Sequence, residues 1–401
     1  MHIDIYDLDN YTNGIPHKQF AWLRDNAPVY WHEHPEGYGY WVLSKHADVM
    51  QVSRDFKTFS AQPGFVMLDD LPEEQLAMAQ GMLLGMDPPN HGSIRRAVIT
   101  RFTSRKLAQL EPGVREIARG IMAGVSRSDE INFVDDLAGD LPTAVICSLL
   151  EIPEDMWPQV RRWSDLQTSG SDPDLGGTAE EVNQASVEMG SYGYQLAAER
   201  KDADGSDLIS LLINQEVDGR LVNEMEFASL FVQLTTAGNE TTRGLISSGM
   251  YALMQRPELL RQLAEDPSKI GLAVEEMLRW TCPLHYFRRT ATVDTEINGQ
   301  AIKEGDRVVM QYSSANFDEQ VFEDPMTFDI ARDPNPHLTF GLGSHFCLGA
   351  NLARTEIRLV FDGLLDRVET INPAGPAERT RSNKHTGFRH LPVSFDDRDR
   401  S

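Results

Sequence analysis

Cys347 stands in Phe340-Gly341-Leu342-Gly343-Ser344-His345-Phe346-Cys347-Leu348-Gly349, surrounded by three glycines and followed at once by a run with apolar residues at helical spacing, residues 350–360. Glycine lets a backbone take positive φ and bring amide N–H groups close to sulfur. A helix N-terminus favours negative charge. Both effects stabilise a thiolate, the form that binds a soft metal. One thiolate is too few ligands for a closed zinc site, and Cys147 and Cys282 lie far away in sequence. A prosthetic group that needs a single protein ligand fits better, and haem iron is such a group. A buried free cysteine in a glycine-rich turn is the alternative.

Two further clusters could do chemistry. Thr235-Thr236-Ala237-Gly238-Asn239-Glu240-Thr241-Thr242-Arg243 lies inside a long apolar helical pattern. Glycine costs about 1 kcal/mol there relative to alanine, and threonine hydroxyls can bond the preceding turn and open it. An opening beside an acid and an alcohol can hold water and pass protons; close helix packing through Gly238 is the other reading. In Asp87-Pro88-Pro89-Asn90-His91-Gly92-Ser93-Ile94-Arg95-Arg96, His91 and Arg95 are four apart on one helical face and can reach two anionic groups. Arg96, Arg101, Arg105 and Lys106 make a local basic cluster or a solvated helix face.

These elements, in this order, resemble the cytochrome P-450 superfamily. The ten-residue stretch matches its Phe-Gly-x-Gly-x-His-x-Cys-x-Gly ligand loop at every fixed position. The resemblance implies a haem b (iron protoporphyrin IX) cofactor with Cys347 as iron ligand, and Phe340, Gly341, His345, Gly349 and Ala237 against the cofactor. His91, Arg95 and Arg289 would hold the propionates. Glu240 and Thr241 would be the acid and alcohol of proton delivery. Glu276 and Arg279, with Arg332 as third partner, resemble the family's structural Glu-x-x-Arg set and are assigned to the fold. Leu68, Met82, Leu84, Leu284, Tyr286, Phe287 and Phe388 are candidates to border the substrate; the last lies in Thr386-Gly387-Phe388-Arg389-His390, similar to the family's final turn.

The elements that must position these residues are mostly helical. Residues 17–27, 46–54, 114–125, 136–150, 156–168, 179–200, 207–214, 224–255 and 271–280 read as helices. Residues 29–31 and 38–43 read as a hairpin, 283–291 and 305–311 as strands, with a turn at Asn298-Gly299. Residues 59–86 lose periodicity yet carry Phe65, Val66, Met67, Leu68, Met78, Met82, Leu83, Leu84 and Met86, as an adaptable ligand surface would. The stretch from Ser169 to Gly177, rich in Gly, Ser and Asp, could act as a lid. No Gly/Ser-rich linker divides the 401 residues, so one mainly α unit over 1–401 with a small β region, the cytochrome P-450 fold, is expected.

The net charge of −24 disfavours nucleic acid and anionic membranes as partners. The start of the chain has no basic or apolar leader and no run of about 18 apolar residues occurs, so a soluble cytoplasmic protein is expected. The resemblance implies a monooxygenase that puts one atom of O2 into a C–H bond of a hydrophobic steroid-, terpenoid- or lipid-like substrate. The chain has no flavin or nicotinamide fingerprint, so electrons are expected from a separate ferredoxin and its reductase. Its docking face would be Arg96, Arg101, Arg105 and Lys106 with Arg354 and Arg358. A peroxide-driven peroxygenase and a non-catalytic haem-thiolate sensor are the alternatives.

Overall fold

The computed structural model describes residues 2–397 apart from 36, 65, 100, 101, 103, 125–129, 170, 171, 173–176, 204, 206, 207, 215, 217 and 218. Phe65, Arg101 and six of the nine residues of the expected lid at 169–177 lie outside the described residues, as do the side chains of Met78, Arg105 and Lys106.

A 31-residue helix, Glu224–Met254, runs through the middle of the helical part. It starts where a capping box closes: Glu226 N–H donates to Asn223 Oδ1 (2.9 Å), and Asn223 N–H donates back to the Glu226 carboxylate (3.1 Å). Its apolar residues point in all directions because it packs against Asp140–Leu149, Trp157–Ser169, Ala179–Arg200, Ile270–Thr281 and Ala350–Arg367. Its rotation is fixed by a buried polar contact. Thr143 Oγ1 donates to Asn239 Oδ1 (3.0 Å), and Asn239 Nδ2 donates to Ser164 Oγ (3.2 Å).

The β part is a five-stranded sheet in the spatial order Val29–His32, Tyr40–Leu43, Arg307–Gln311, Tyr286–Ala291, Phe59–Ser60. The first two strands form the expected hairpin, with Trp31 opposite Trp41. Tyr40–Leu43 runs parallel to Arg307–Gln311, and that strand pairs antiparallel with Tyr286–Ala291, Arg289 opposite Val308. Every residue of Arg307–Gln311 is buried because both faces of the central strand are covered. Asn298 and Gly299, at φ 51° and 79°, turn the small hairpin Thr295–Ile297/Gln300–Ile302.

Three expectations shift. The helix read at 114–125 begins at Ser104 and continues to Gly124 through Pro112, a residue that ordinarily marks a helix boundary. The one read at 136–150 is a wide turn at Val134–Ala138 followed by Asp140–Leu149. The aperiodic segment 59–86 holds a short strand, a helix at Glu73–Gln80 and a tight turn at Leu83–Gly85.

One buried ion cluster ties helix Ile270–Thr281 to the irregular segment after the central sheet. The Glu276 carboxylate takes two hydrogen bonds from Arg279 (2.8 and 2.7 Å), one from Arg332 (3.1 Å), one from Asn335 (3.1 Å) and one from the Asp329 amide (2.9 Å). Both Glu276 and Arg279 are fully buried, so this convergence is what makes their charges tolerable. It locks the 316–335 segment, which leads into the cysteine loop, onto Ile270–Thr281.

Candidate cofactor and substrate site

The loop that carries Cys347 closes on itself: Cys347 N–H donates to Phe340 O (2.8 Å) and Gly341 N–H to Leu338 O (2.7 Å). Gly341 and Gly343 sit at φ 69° and 75°, where a side chain is disfavoured. A Cβ on Gly343 would also lie 2.5 Å from Ser53 O. Gly349 differs from the expectation: its φ is −85°, and a Cβ there would meet nothing within 4 Å. Its smallness leaves space beside the sulfur instead of allowing an unusual turn. Helix Ala350–Arg367 begins one residue later, with its N-terminus toward the loop.

Cys347 is deep in the protein, where burial pushes its thiol up from the ordinary range, yet it retains accessible surface. The Gly349 N–H and the guanidinium groups of Arg95 and Arg354 act the other way. Accessible surface on a desolvated group is the mark of an internal cavity wall. Ala237, midway along the central helix, is likewise exposed although Thr235, Asn239 and Glu240 around it are buried, and a Cβ on Gly238 would meet only open space.

On that helix Thr241 Oγ1 donates to Ala237 O at 2.7 Å, the bond expected to open the turn. Glu240 turns elsewhere. Its carboxylate pairs with Arg243, which also reaches Asp165 (2.8 Å), and burial holds the carboxyl above its usual range while Arg243 offsets part of that rise. Arg243 and Asp165 were missed in sequence, although the i, i+3 spacing of Glu240 and Arg243 was a signal.

Beside the cysteine loop lies a set of cationic and polar groups that pair with no acid among the described residues. The His91 and His345 rings are 4.3 Å apart, and each leaves Nε2 buried and unbonded. Burial lowers them to about 4 and about 2, so both rings are neutral and each leaves one nitrogen open to a partner. Arg95 donates to Phe346 O (2.5 Å). Arg289, 6% exposed, donates to Arg288 O (2.8 Å) and meets no carboxylate among the described residues. Buried donors left open in this way fit a group that brings its own carboxylates. A porphyrin with two propionates and one axial thiolate meets that description, and among the described residues no three His, Cys, Asp or Glu side chains converge to hold a metal another way.

Of the expected substrate-border residues, Met82, Leu84, Leu284 and Phe287 are half-buried. The Leu84 N–H reaches Gln233 of the central helix (3.3 Å), and Leu284 bridges to His385. Tyr286 and Leu68 are corrections: both are buried in the N-terminal apolar cluster with Tyr11, Phe20 and Tyr40. Side chains alternate along a strand, so Phe287 and Arg289 share one face while Tyr286 and Arg288 take the other. Phe388 is a correction too. It is in strand Phe388–His390, its ring 4.8 Å from that of Tyr251 and under the Arg379 guanidinium (4.4 Å), within the main core. The tip of that final turn is Lys384–Gly387. Its Thr386 carbonyl lies against Gly244, where a Cβ would be 2.3 Å away.

The expected basic face is partly neutralised. Arg354 makes a two-pronged pair with Glu275 (2.6 and 2.8 Å), and Arg358 pairs with Glu111 (3.0 Å) and Asp362 (3.5 Å). Arg96 is exposed. Among the described residues no helix is long and apolar enough to cross a membrane.

Comparison with known proteins agrees with this geometry. The family model "Cytochrome P450" matches residues 271–393. A steroid C26-monooxygenase of Rhodococcus jostii is 39% identical over 98% of this chain and 84% of its own. A methyl-branched lipid omega-hydroxylase of Mycobacterium tuberculosis is 38% identical over 98% of this chain and 93% of its own. The structure of Mycobacterium marinum cytochrome P450 CYP268A2, in complex with pseudoionone, superposes with a TM-score of 0.88 at 36% identity, covering 95% of this chain and 94% of that one.

Proposed function

The chain belongs to the cytochrome P450 family and is a monooxygenase acting on hydrophobic substrates, and on that premise we propose that it hydroxylates a C–H bond of a steroid-, terpenoid- or branched-lipid-like molecule, using haem b and electrons from a separate ferredoxin and its reductase. The observation that carries this reading is a lone, desolvated but accessible thiol beside buried donors that lack acids.

Cys347 would hold the iron through Sγ, with the Gly349 N–H and two guanidinium groups favouring the thiolate. His91, Arg95, Arg289 and His345 would take the two propionates. When bound, the haem supplies reductive activation of dioxygen, and thiolate ligation favours cleavage of the O–O bond. The chain's own part is positioning and proton handling. Thr241 Oγ1 stands at the open stretch of the central helix and would offer its hydroxyl to that space on leaving Ala237 O. Behind it, the Glu240 carboxyl, raised by burial and linked through Arg243 to Asp165, can exchange protons with the exterior through rotation of its side chain. Met82, Leu84, Leu284 and Phe287 exclude water and orient an apolar substrate.

The pair Glu240 and Thr241 favours oxygen-dependent turnover over a peroxide-driven or sensing role. For the ferredoxin, the support is the basic residues on the cysteine side, of which Arg96 is exposed. The test is the ferrous carbon-monoxide spectrum followed by turnover of steroid, terpenoid and branched-lipid probes with ferredoxin and reductase. Thiolate-type spectra that vanish in Cys347→Ala, with hydroxylated product, are expected. Turnover with peroxide alone, unimproved by ferredoxin and reductase, would overturn the reading.

A further inference from the structure

The turn Ser382-Asn383-Lys384-His385-Thr386 is fastened to the strand that carries Phe287 and Arg289. His285 N–H donates to Lys384 O (2.9 Å), Thr386 N–H to Pro283 O (3.0 Å), and the amides of Lys384 and His385 both donate to Ser382 Oγ (3.1 and 3.0 Å). Ser382, Asn383, His385 and Thr386 are buried, whereas Lys384 keeps accessible surface. Around it stand the segment of Met67, whose Sδ is 3.8 Å from the ammonium, the chain at His285 and, through Thr386 against Gly244, the central helix. This packing desolvates the ammonium and lowers it to about 8.

Among the described residues no acid pairs with the ammonium. Its contact is Met67 Sδ at 3.8 Å, a weak acceptor. The carboxylates following Met67 in the chain are committed elsewhere: Asp69 to His34 (2.7 Å) and Tyr6 (3.3 Å), Asp70 to Arg288 (2.8 Å) and Arg307. The carbonyls of Met67, Leu68 and Asp69 are taken by Arg288. The adjacent histidines, His285 and His385, are held neutral by burial. An ammonium taken out of water without a counter-charge is costly, and a leucine would fill the same space at no such cost.

We propose that Lys384 is a specificity-determining residue that binds a carboxylate at the end of the substrate remote from the oxidised carbon. The substrates of this enzyme are then long apolar acids. The proposal rests on the monooxygenase reading, because that reading places the reacting carbon toward Cys347 and leaves the turn at 382–386 for the other end. It narrows the steroid, terpenoid and lipid classes to their acidic members, and it makes a neutral ketone or alcohol at the remote end a poorer ligand than an acid of the same length.

The test uses the haem-loaded enzyme and matched pairs: palmitic acid with methyl palmitate, and lithocholic acid with methyl lithocholate. Binding is measured by calorimetry and by the optical spin-state shift. For at least one pair the acid is expected to bind roughly 10-fold tighter than its ester, as a charge-assisted hydrogen bond would give. Lys384→Met should abolish that preference by weakening the acid and leaving the ester within about twofold, while Lys384→Arg retains it. Lys384→Gln, which keeps a polar end, is the second variant should the methionine protein fold poorly. Acids and esters that bind alike, equal weakening of both by the substitutions, or no acid binding at all would overturn the proposal. The carbon-monoxide spectrum of the same preparation separates the two levels. Its failure removes the monooxygenase reading, whereas a normal thiolate spectrum without acid preference removes only the assignment of Lys384.

Discussion

Arg279 and Arg289 are ten positions apart, and both are buried, but their surroundings are opposite. Arg279 gives its donors to both oxygens of Glu276 and to the carbonyls of Asn316, Pro325 and Thr327, and its guanidinium lies 4.9 Å from the centre of the Phe317 ring. Among the described residues Arg289 has one hydrogen bond, to a neighbouring carbonyl, and no ion pair. A buried cation with every donor satisfied serves the fold. One left without a counter-ion is kept for something that arrives later, because desolvation alone would otherwise select against it. Lys384 falls in the second class, as do the open ring nitrogens of His91 and His345.

The strongest way to break this distinction is at Glu276. Glu276→Leu leaves Arg279 and Arg332 facing each other without the acid, and a loss of about 3–5 kcal/mol is expected in urea unfolding. A loss under ~1 kcal/mol would mean that carbonyls alone suffice and that satisfied donors say little about role.

Thr241 tests the boundary. By bonding it belongs with Arg279, since its hydroxyl already donates to Ala237 O; by its half-buried place beside exposed Ala237 it belongs with the groups left open for a ligand. Thr241→Ala is expected to change stability by no more than about 0.5 kcal/mol but to lower product formation about 100-fold, with reduced oxygen released unused. Unchanged product formation would return Thr241 to the helix.

Arg289→Met sharpens the other side. Removing an unpaired buried cation should leave the haem-free protein as stable as before or slightly more so, while haem dissociates about 10-fold faster. Equal destabilisation of haem-free and haem-loaded protein would show that Arg289 supports the sheet.

What was legible in the sequence follows the same division. Cys347, His91, Arg95 and the Glu276–Arg279 pair are read from short spacings, since each depends on one loop or one helical turn. The central helix was legible from apolar residues on all sides, and the Asn298-Gly299 hairpin from its turn chemistry. Arg243 was signalled by its i, i+3 spacing from Glu240, but Asp165 was not, because 78 residues separate it from Arg243 and only packing of Trp157–Ser169 on the central helix joins them. Phe388 was misplaced for a related reason. Which residue of a turn reaches a cavity depends on where the turn is anchored, and here Pro283 and Ser382 fix Lys384, not Phe388, at the tip. Tyr286 was lost to strand parity, which a one-residue shift inverts.

The smallest expected effect concerns Glu275, next to the buried acid but partly accessible. Burial by itself would raise its carboxyl; hydrogen bonds from Arg354 and His337 outweigh that and pull it to about 2, from 4.5. A carboxyl lowered on folding contributes stability that is complete above the unfolded value and is lost as pH falls from about 4.5 to about 2. With the side chain 26% exposed, the contribution is on the order of 2 kcal/mol after allowing for solvent screening. Glu275→Gln should therefore be less stable than the parent at neutral pH, and the two should converge only as pH approaches 2. The Arg354 guanidinium also covers the Phe340 ring (4.5 Å) at the start of the cysteine loop, so in the parent the thiolate-type carbon-monoxide spectrum should decay over the same window. In Glu275→Gln it should already be weaker at neutral pH and change less with acid. Parallel pH curves for the two proteins would place the acid sensitivity of the loop in Cys347 and the groups around it, and would leave Glu275 as an ordinary surface pair.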